Sequence, residues 1–224
     1  MNAQPTKRNR SYDQCTNVGC EITTAEGTHL QACRACGVAR YCSRECQKSD
    51  WKTHKKQCKK HQDASNRLNN SEDPSLQNAY ARVTKWILRH RPALGEALIS
   101  SFDLPNNPYA HRRQILEVTA RYLPDVDDEH CLVLMSVRRG DLSATAQPYF
   151  VELVQQRETY EELSVRADPD VYGTGLVLLM VHHGDVQLFA RSLPITFTSE
   201  RGIAEVEEDR VWKAELWKRT DSFR

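Results

Sequence analysis

Eight residues within the first 58 have the types and spacing of metal ligands: Cys15-x4-Cys20, Cys33-x2-Cys36, Cys42-x3-Cys46 and His54-x3-Cys58. Thiolate and imidazole suit zinc, a borderline-soft ion. Eight such groups fill two tetrahedral sites. A Cys-x2-Cys turn directs two sulfurs at one ion, and ligands four residues apart share one helix face. Sites with four protein ligands keep no position for water, so the expected chemistry is structural rather than hydrolytic. His54 is expected to ligate as the neutral imidazole, its other ring nitrogen held by an acceptor.

Spacing alone leaves the grouping open. If Cys42, Cys46, His54 and Cys58 shared an ion on one continuous helix, Cys42 and His54 would stand about 18 Å apart. Zinc–sulfur bonds of about 2.3 Å cannot bridge that. A break in the helix would remove the objection. The interleaved alternative sets Cys15, Cys20, Cys42 and Cys46 on one ion. Cys33, Cys36, His54 and Cys58 then take the other.

The stretch from Cys33 to Cys58 resembles a MYND-type zinc finger. The residues that carry the likeness are Tyr41-Cys42-x3-Cys46-Gln47, Trp51 and His54-x3-Cys58. The resemblance covers residues 15–58, a fifth of the chain. It departs from the family at Cys15-x4-Cys20, where two intervening residues are usual. It implies two structural Zn2+ ions in the interleaved arrangement, on a short hairpin plus helices. It also implies a protein-interaction module that takes short proline-rich peptides, with Gln47 and Trp51 as the peptide-binding positions. These two are four residues apart and share one helix face. An aromatic ring offers a platform for proline, and a glutamine amide can hold a peptide backbone. The alternative for Trp51 is packing within the finger's own small core.

What must position these residues is a chain of two unlike halves. The formal charge of +1 over 224 residues is a near-cancellation. Residues 1–70 hold 13 Lys+Arg against 6 Asp+Glu, and residues 71–224 hold 18 against 24. Seven thiolates with two divalent cations add −3, so the zinc-loaded chain stands at −2. Lys48, Lys52, Lys55, Lys56, Lys59 and Lys60 offset the thiolate charge locally. A nucleic-acid patch is not favoured, because no stacking aromatics or C2H2 spacing accompany these lysines. Residues 1–14 are expected to be a disordered basic N-terminus, without the apolar stretch of a secretion signal. No apolar run approaches the roughly 18–20 residues that span a bilayer. An intracellular location, nucleus or cytoplasm, follows, where cysteines favour metal over disulfides. Residues 59–75 are polar and Asn/Ser-rich and read as a linker.

Residues 76–224 read as an α+β domain. Leu76, Tyr80, Val83, Ile87 and Leu88 predict a helix ending near Arg91, before Pro92. Residues 93–102 predict a short second helix and residues 110–123 a third, stopped by Pro124. Strands are expected at 132–139 and 176–183, each ending in a Gly-Asp turn. Their likeness suggests a duplicated strand–turn unit, with chance similarity as the alternative. Val186 to Ser192 reads as a return strand, Tyr149 to Val154 as another strand, and Glu207 to Arg219 as a closing helix. Gly173-Thr174-Gly175 lacks the dinucleotide fingerprint and reads as a turn. Trp86 and Cys131 are expected in the core, and His61 on the solvated surface.

No catalytic constellation emerges. The expected function is an adaptor or regulator that is not an enzyme. Two alternatives stand beside it. A SET-like lysine methyltransferase is disfavoured, since only 14 residues precede the finger and no SET motif is recognised downstream. A DNA-binding transcriptional regulator rests only on the basic half, and would show salt-dependent duplex binding.

Overall fold

A computed structural model describes residues 15–17, 20, 22, 29–142, 148–167, 171–198 and 212–220. The expected N-terminal tail and the start of the closing helix, residues 207–211, lie outside the described residues. Two short strands, β1 (Gln31–Ala32) and β2 (Arg40–Tyr41), pair antiparallel ahead of the first helix. That helix, α1 (Arg44–Asn69), starts where the Ser43 side chain accepts from the Cys46 backbone N–H at 3.1 Å. This is a serine N-cap, reinforced by Glu45 in the first turn.

The helix does not stop after the last cysteine. Residues 59–69, expected as part of a linker, form its final turns. Their polar sequence is that of a helix mostly facing water. The few inward positions decide the outcome: Leu68 is 4% exposed and Ala64 packs on the same core. Lys56 and Lys60 pair with Glu152, and Arg67 donates to the Leu188 carbonyl at 2.7 Å. His61 is half-buried rather than solvated, with Nδ1 2.5 Å from the Tyr80 hydroxyl. Burial pushes its pKa down to about 3, so the ring there is neutral.

The second helix, α2 (Ala79–Phe102), also overruns its predicted end and passes through Pro92. A helix-interior proline costs about 3 kcal/mol. Here Val83, Trp86, Ile87 and His90 before it, and Ala93, Leu94, Ala97 and Leu98 after it, are all buried. Burial of one such large side chain contributes about 1.5–3 kcal/mol, so one continuous apolar face overrides the local break. The helix closes on Asp103 in the left-handed region, φ 51°.

Residues 110–123 are not the expected helix: only Ala110–Arg112 is helical, a single 3-10 turn. Gln114–Tyr122 is β3, one of the two interior strands of a four-stranded sheet. Ile115, Val118, Thr119 and Tyr122 match a helical spacing by coincidence. The period that matters is two: Leu116, Val118, Ala120 and Tyr122 enter one core cluster, and Ile115 enters another. The sheet order is β4–β3–β5–β6, with β4 (Leu132–Asp141), β5 (Val171–His183) and β6 (Val186–Thr198). Strand β3 runs antiparallel to β4 and parallel to β5, and β5 runs antiparallel to β6. The connection from β4 to β5 includes α3 (Pro148–Ala167), which stands where a strand was expected at 149–154. Phe150, Leu153 and Val154 touch the sheet together, a helical spacing hidden in an aromatic, β-branched run.

The two similar segments prove to be different parts of the sheet. Gly184-Asp185 is the turn of the β5–β6 hairpin, Gly184 with φ 56°. Gly140 and Asp141 instead continue β4 and pair with Ile115 and Gln114. The architecture therefore gives no duplicated strand–turn unit. Pro194 sits in β6, an edge strand, the position within a sheet where proline is tolerated.

Helix α2 covers one sheet face and α3 the other, and α4 (Trp212–Arg219) packs on α2 through Leu216. Trp86 and Cys131 are fully buried, as expected. Gly173-Thr174-Gly175 lies within β5 rather than in a turn. A Cβ at Gly175 would stand 2.9 Å from Leu98 Cδ2 and 3.0 Å from Phe197 Cζ. Gly175→Ala is expected to lower stability by about 1–3 kcal/mol, read as a fall in denaturation midpoint, by overpacking this α2–sheet contact.

Candidate metal centre

The segment holding Cys15 and Cys20, tied to β2 by the Thr16 N–H to the Arg40 carbonyl at 2.7 Å, joins the β1–β2 hairpin and α1 as far as Cys58 to bring all eight expected ligands into two groups. Cys15, Cys20, Cys42 and Cys46 form one, and Cys33, Cys36, His54 and Cys58 the other. Within each group the ligating atoms lie within 4.8 Å of one another. The unbroken α1 keeps Cys42 and Cys46 from sharing an ion with His54 and Cys58, and the ligand distances give the interleaved grouping. Cys46 lies on its first turn, with Cys42 just before it, while His54 and Cys58 lie two to three turns on. The hairpin turn at Cys33–Gly37 then feeds Cys33 and Cys36 to the second half of the ligand helix. There Gly37 N–H donates to the Cys33 carbonyl at 2.8 Å and adopts φ 69°.

The spacing of the donors tests whether zinc fits. Bonds of about 2.3 Å in a tetrahedron set neighbouring sulfurs about 3.8 Å apart. Cys20 and Cys42 Sγ are 3.5 Å apart, Cys42 and Cys46 3.4 Å, and Cys33 and Cys58 3.9 Å. Cys36 Sγ lies 3.6 Å from His54 Nε2. Two Zn2+ ions fit these donor sets, and the chemistry they supply is structural cross-linking, since four protein ligands close each site. Without a cation these thiols divide: burial pushes Cys58 up to about 12 and the hydrogen bond with Cys46 does the same for Cys42, while the bond with Asn17 brings Cys46 down to about 7. A divalent charge is what allows such sulfurs to stand together as thiolates. Burial lowers the His54 pKa and so favours the neutral imidazole that can ligate.

The two groups differ in their setting. Cys33, Cys36, His54 and Cys58 are all buried, whereas only Cys15 of the other four is. The buried group shares its small cluster with Leu30, Ala39 and Tyr41. The Tyr41 hydroxyl donates to Asp50 Oδ2 at 2.7 Å. Burial raises the Asp50 pKa, and the tyrosine bond opposes that rise. Asp50 was not singled out from the sequence. Its signal was there, in the helical run Cys46, Asp50, His54, Cys58 at intervals of four.

Two glutamine amides reach sulfur. Gln62 Nε2 donates to Cys58 Sγ at 3.2 Å and Gln47 Nε2 to Cys33 Sγ at 3.4 Å. Gln47, expected at a peptide groove, thus has its amide oriented by the zinc cluster. Trp51, the other expected groove residue, is 42% exposed, with its ring edge-on to His54 at 6.0 Å. Among the described residues no further metal-ligating group appears. His182 and His183 do not converge on one, and His183 instead lies 3.4 Å from the Tyr122 carbonyl.

Comparison with known proteins bears on the same segment. The model of the family described as MYND finger matches residues 13–58. A hypoxia-inducible factor prolyl hydroxylase of Caenorhabditis elegans is 36% identical over 95 residues, 42% of this chain and 12% of its own length. Human histone-lysine N-methyltransferase SMYD3 is 35% identical over 78 residues, 35% of this chain and 17% of its own. The SET domain and MYND-type zinc finger protein 6 of Schizosaccharomyces pombe is 48% identical over 40 residues, 18% of this chain and 8% of its own. The chain thus spans less than a fifth of the length of these relatives. No solved structure matches it. No helix among the described residues is long and apolar enough to cross a membrane. Ligand geometry and family match agree: residues 13–58 are a MYND-type zinc finger, a protein-interaction module in which one structural zinc site is made of four cysteines and the other of three cysteines and a histidine.

Proposed function

We propose that this finger captures a short proline-rich peptide across Trp51, within an intracellular adaptor or regulator, nuclear or cytoplasmic, that performs no catalysis of its own. The observation that carries the reading is the exposure of Trp51 on the zinc-held half of α1. A large indole that is 42% exposed beside a rigid metal cluster is a preorganised apolar platform. Gln47 stands one turn before it, its amide nitrogen held on Cys33 Sγ. That bond directs the amide while leaving its carbonyl oxygen as an acceptor for a peptide N–H. The zinc ions contribute rigidity and no reactive position.

Trp51→Ala is expected to keep both zinc ions, counted by native mass spectrometry. It should weaken capture of a proline-rich peptide at least tenfold, since aromatic anchors dominate such contacts. Unchanged capture with two zincs retained would remove Trp51 from the groove. The adaptor reading is tested separately against the methyltransferases among the relatives: saturable binding of a methyl donor by the full chain would overturn it.

A further inference from the structure

Trp51 stands at one end of a groove of about 690 Å³ that follows α1 as far as Asp63. Among the described residues its lining comes from α1 alone and is strongly basic. Lys52, Lys55 and Lys59 line it and are exposed, with no carboxylate partner among the described residues. Lys56 and Lys60 also line it, and these two hold a carboxylate already. Glu152 of α3 lies 3.2 Å from Lys56 Nζ and 2.5 Å from Lys60 Nζ. The chain's own glutamate thus shows the chemistry that this lysine stripe accepts.

We infer that the peptide taken by the finger is acidic as well as proline-rich, with carboxylates placed beside Lys55 and Lys59. This rests on the proposed capture at Trp51. The spacing is specific. From Trp51, Lys55 is about 6 Å and Lys59 about 12 Å along the helix. An extended proline-type peptide advances about 3.1 Å per residue. A proline seated on the indole therefore sets Asp or Glu opposite the lysines two to four residues further along. Charge complementarity favours a peptide over a nucleic-acid backbone. A phosphodiester strand following the whole groove would meet Asp63 at its far end, and Glu152 beside Lys56 and Lys60. A short acidic segment ends before Asp63.

The test uses the full zinc-loaded chain and fluorescence anisotropy with three synthetic peptides. The first carries a proline core with Glu two to four residues away. The second has Gln in place of Glu, and the third keeps Glu but has Ala in place of Pro. Two exposed ion pairs correspond to about a two- to thirtyfold preference for the first peptide over the second. The preference should shrink as salt rises to about 1 M, where the screening length falls to about 3 Å. The double variant Lys55→Gln/Lys59→Gln should lose the preference while binding the Gln peptide unchanged. Equal binding of the first two peptides overturns the acidic inference and leaves the proline reading standing. Equal binding of the first and third overturns the proline reading and with it the spacing argued from a proline on the indole. Failure of the first peptide to bind overturns both. Duplex DNA that displaces the first peptide, and whose own binding falls in the double variant, assigns the groove to nucleic acid and overturns the inference as well.

Discussion

Cys36→Ser is expected to release the zinc of the buried site and unfold the finger while leaving the other domain's fold. The group it belongs to, with Cys33, His54 and Cys58, is buried throughout. The remaining apolar members of that cluster, Leu30, Ala39 and Tyr41, are too few to form a core without metal. Binding of structural zinc is worth about 10–16 kcal/mol near neutral pH, and in such small units it is folding free energy. Cys20→Ser, in the more open group, is expected to lose one zinc with less damage. A chelator should therefore pass through a one-zinc species whose remaining ion is on Cys33, Cys36, His54 and Cys58. Native mass spectrometry during chelation follows the count, and comparison of the two variants assigns the ion. Simultaneous loss of both ions, or earlier loss from the buried site, would contradict this order.

Ala64→Pro is expected to have the second-largest effect, of another kind. Residue 64 lies on α1 beyond Cys58, and packs with Leu68 on the core of the sheet domain. A proline there removes a helical N–H and costs about 3 kcal/mol or more. Both zinc sites lie N-terminal to the break and should stay filled. The contacts of His61 with Tyr80 and of Arg67 with the Leu188 carbonyl depend on helix continuity. Two zincs with a lowered melting temperature for the α2–sheet domain is the expected result. An unchanged melt would show that α1 does not brace the domain.

The finger was legible because its constraints are short-range and chemical. Two ions need eight soft donors, and the intervals between Cys15 and Cys58 allow few arrangements. The partition into interleaved sets needed the structure: a continuous α1 separates Cys42 and Cys46 from His54 and Cys58, and the approach of the earlier cysteine pairs decides the rest. The second domain was less legible because its elements are set by partners distant in sequence. Gln114–Tyr122 has apolar residues at helical and at alternating positions. It becomes a strand because β4 and β5 supply hydrogen-bonding neighbours on both sides. Pro92 reads locally as a stop, yet buried residues on both sides hold α2 together. Phe150, Leu153 and Val154 look like part of a strand until Arg157, buried like Leu153, continues their helical spacing. The polar run after Cys58 looked like a linker because most of a one-sided helix is polar. Its few inward residues carry little weight in composition.

One consequence of the long α1 concerns how such a unit could be inherited. His54 and Cys58 fall midway along α1, and Lys59, Lys60, Gln62 and Asp63 of the groove follow them on the same helix. A recombination that ended the finger at its last cysteine would carry away both ions yet abandon half of the surface they make rigid. The transferable segment is set by the far end of that helix and the wall it leans on. This finger is less an exchangeable cassette than a cornerstone, cut to fit one building.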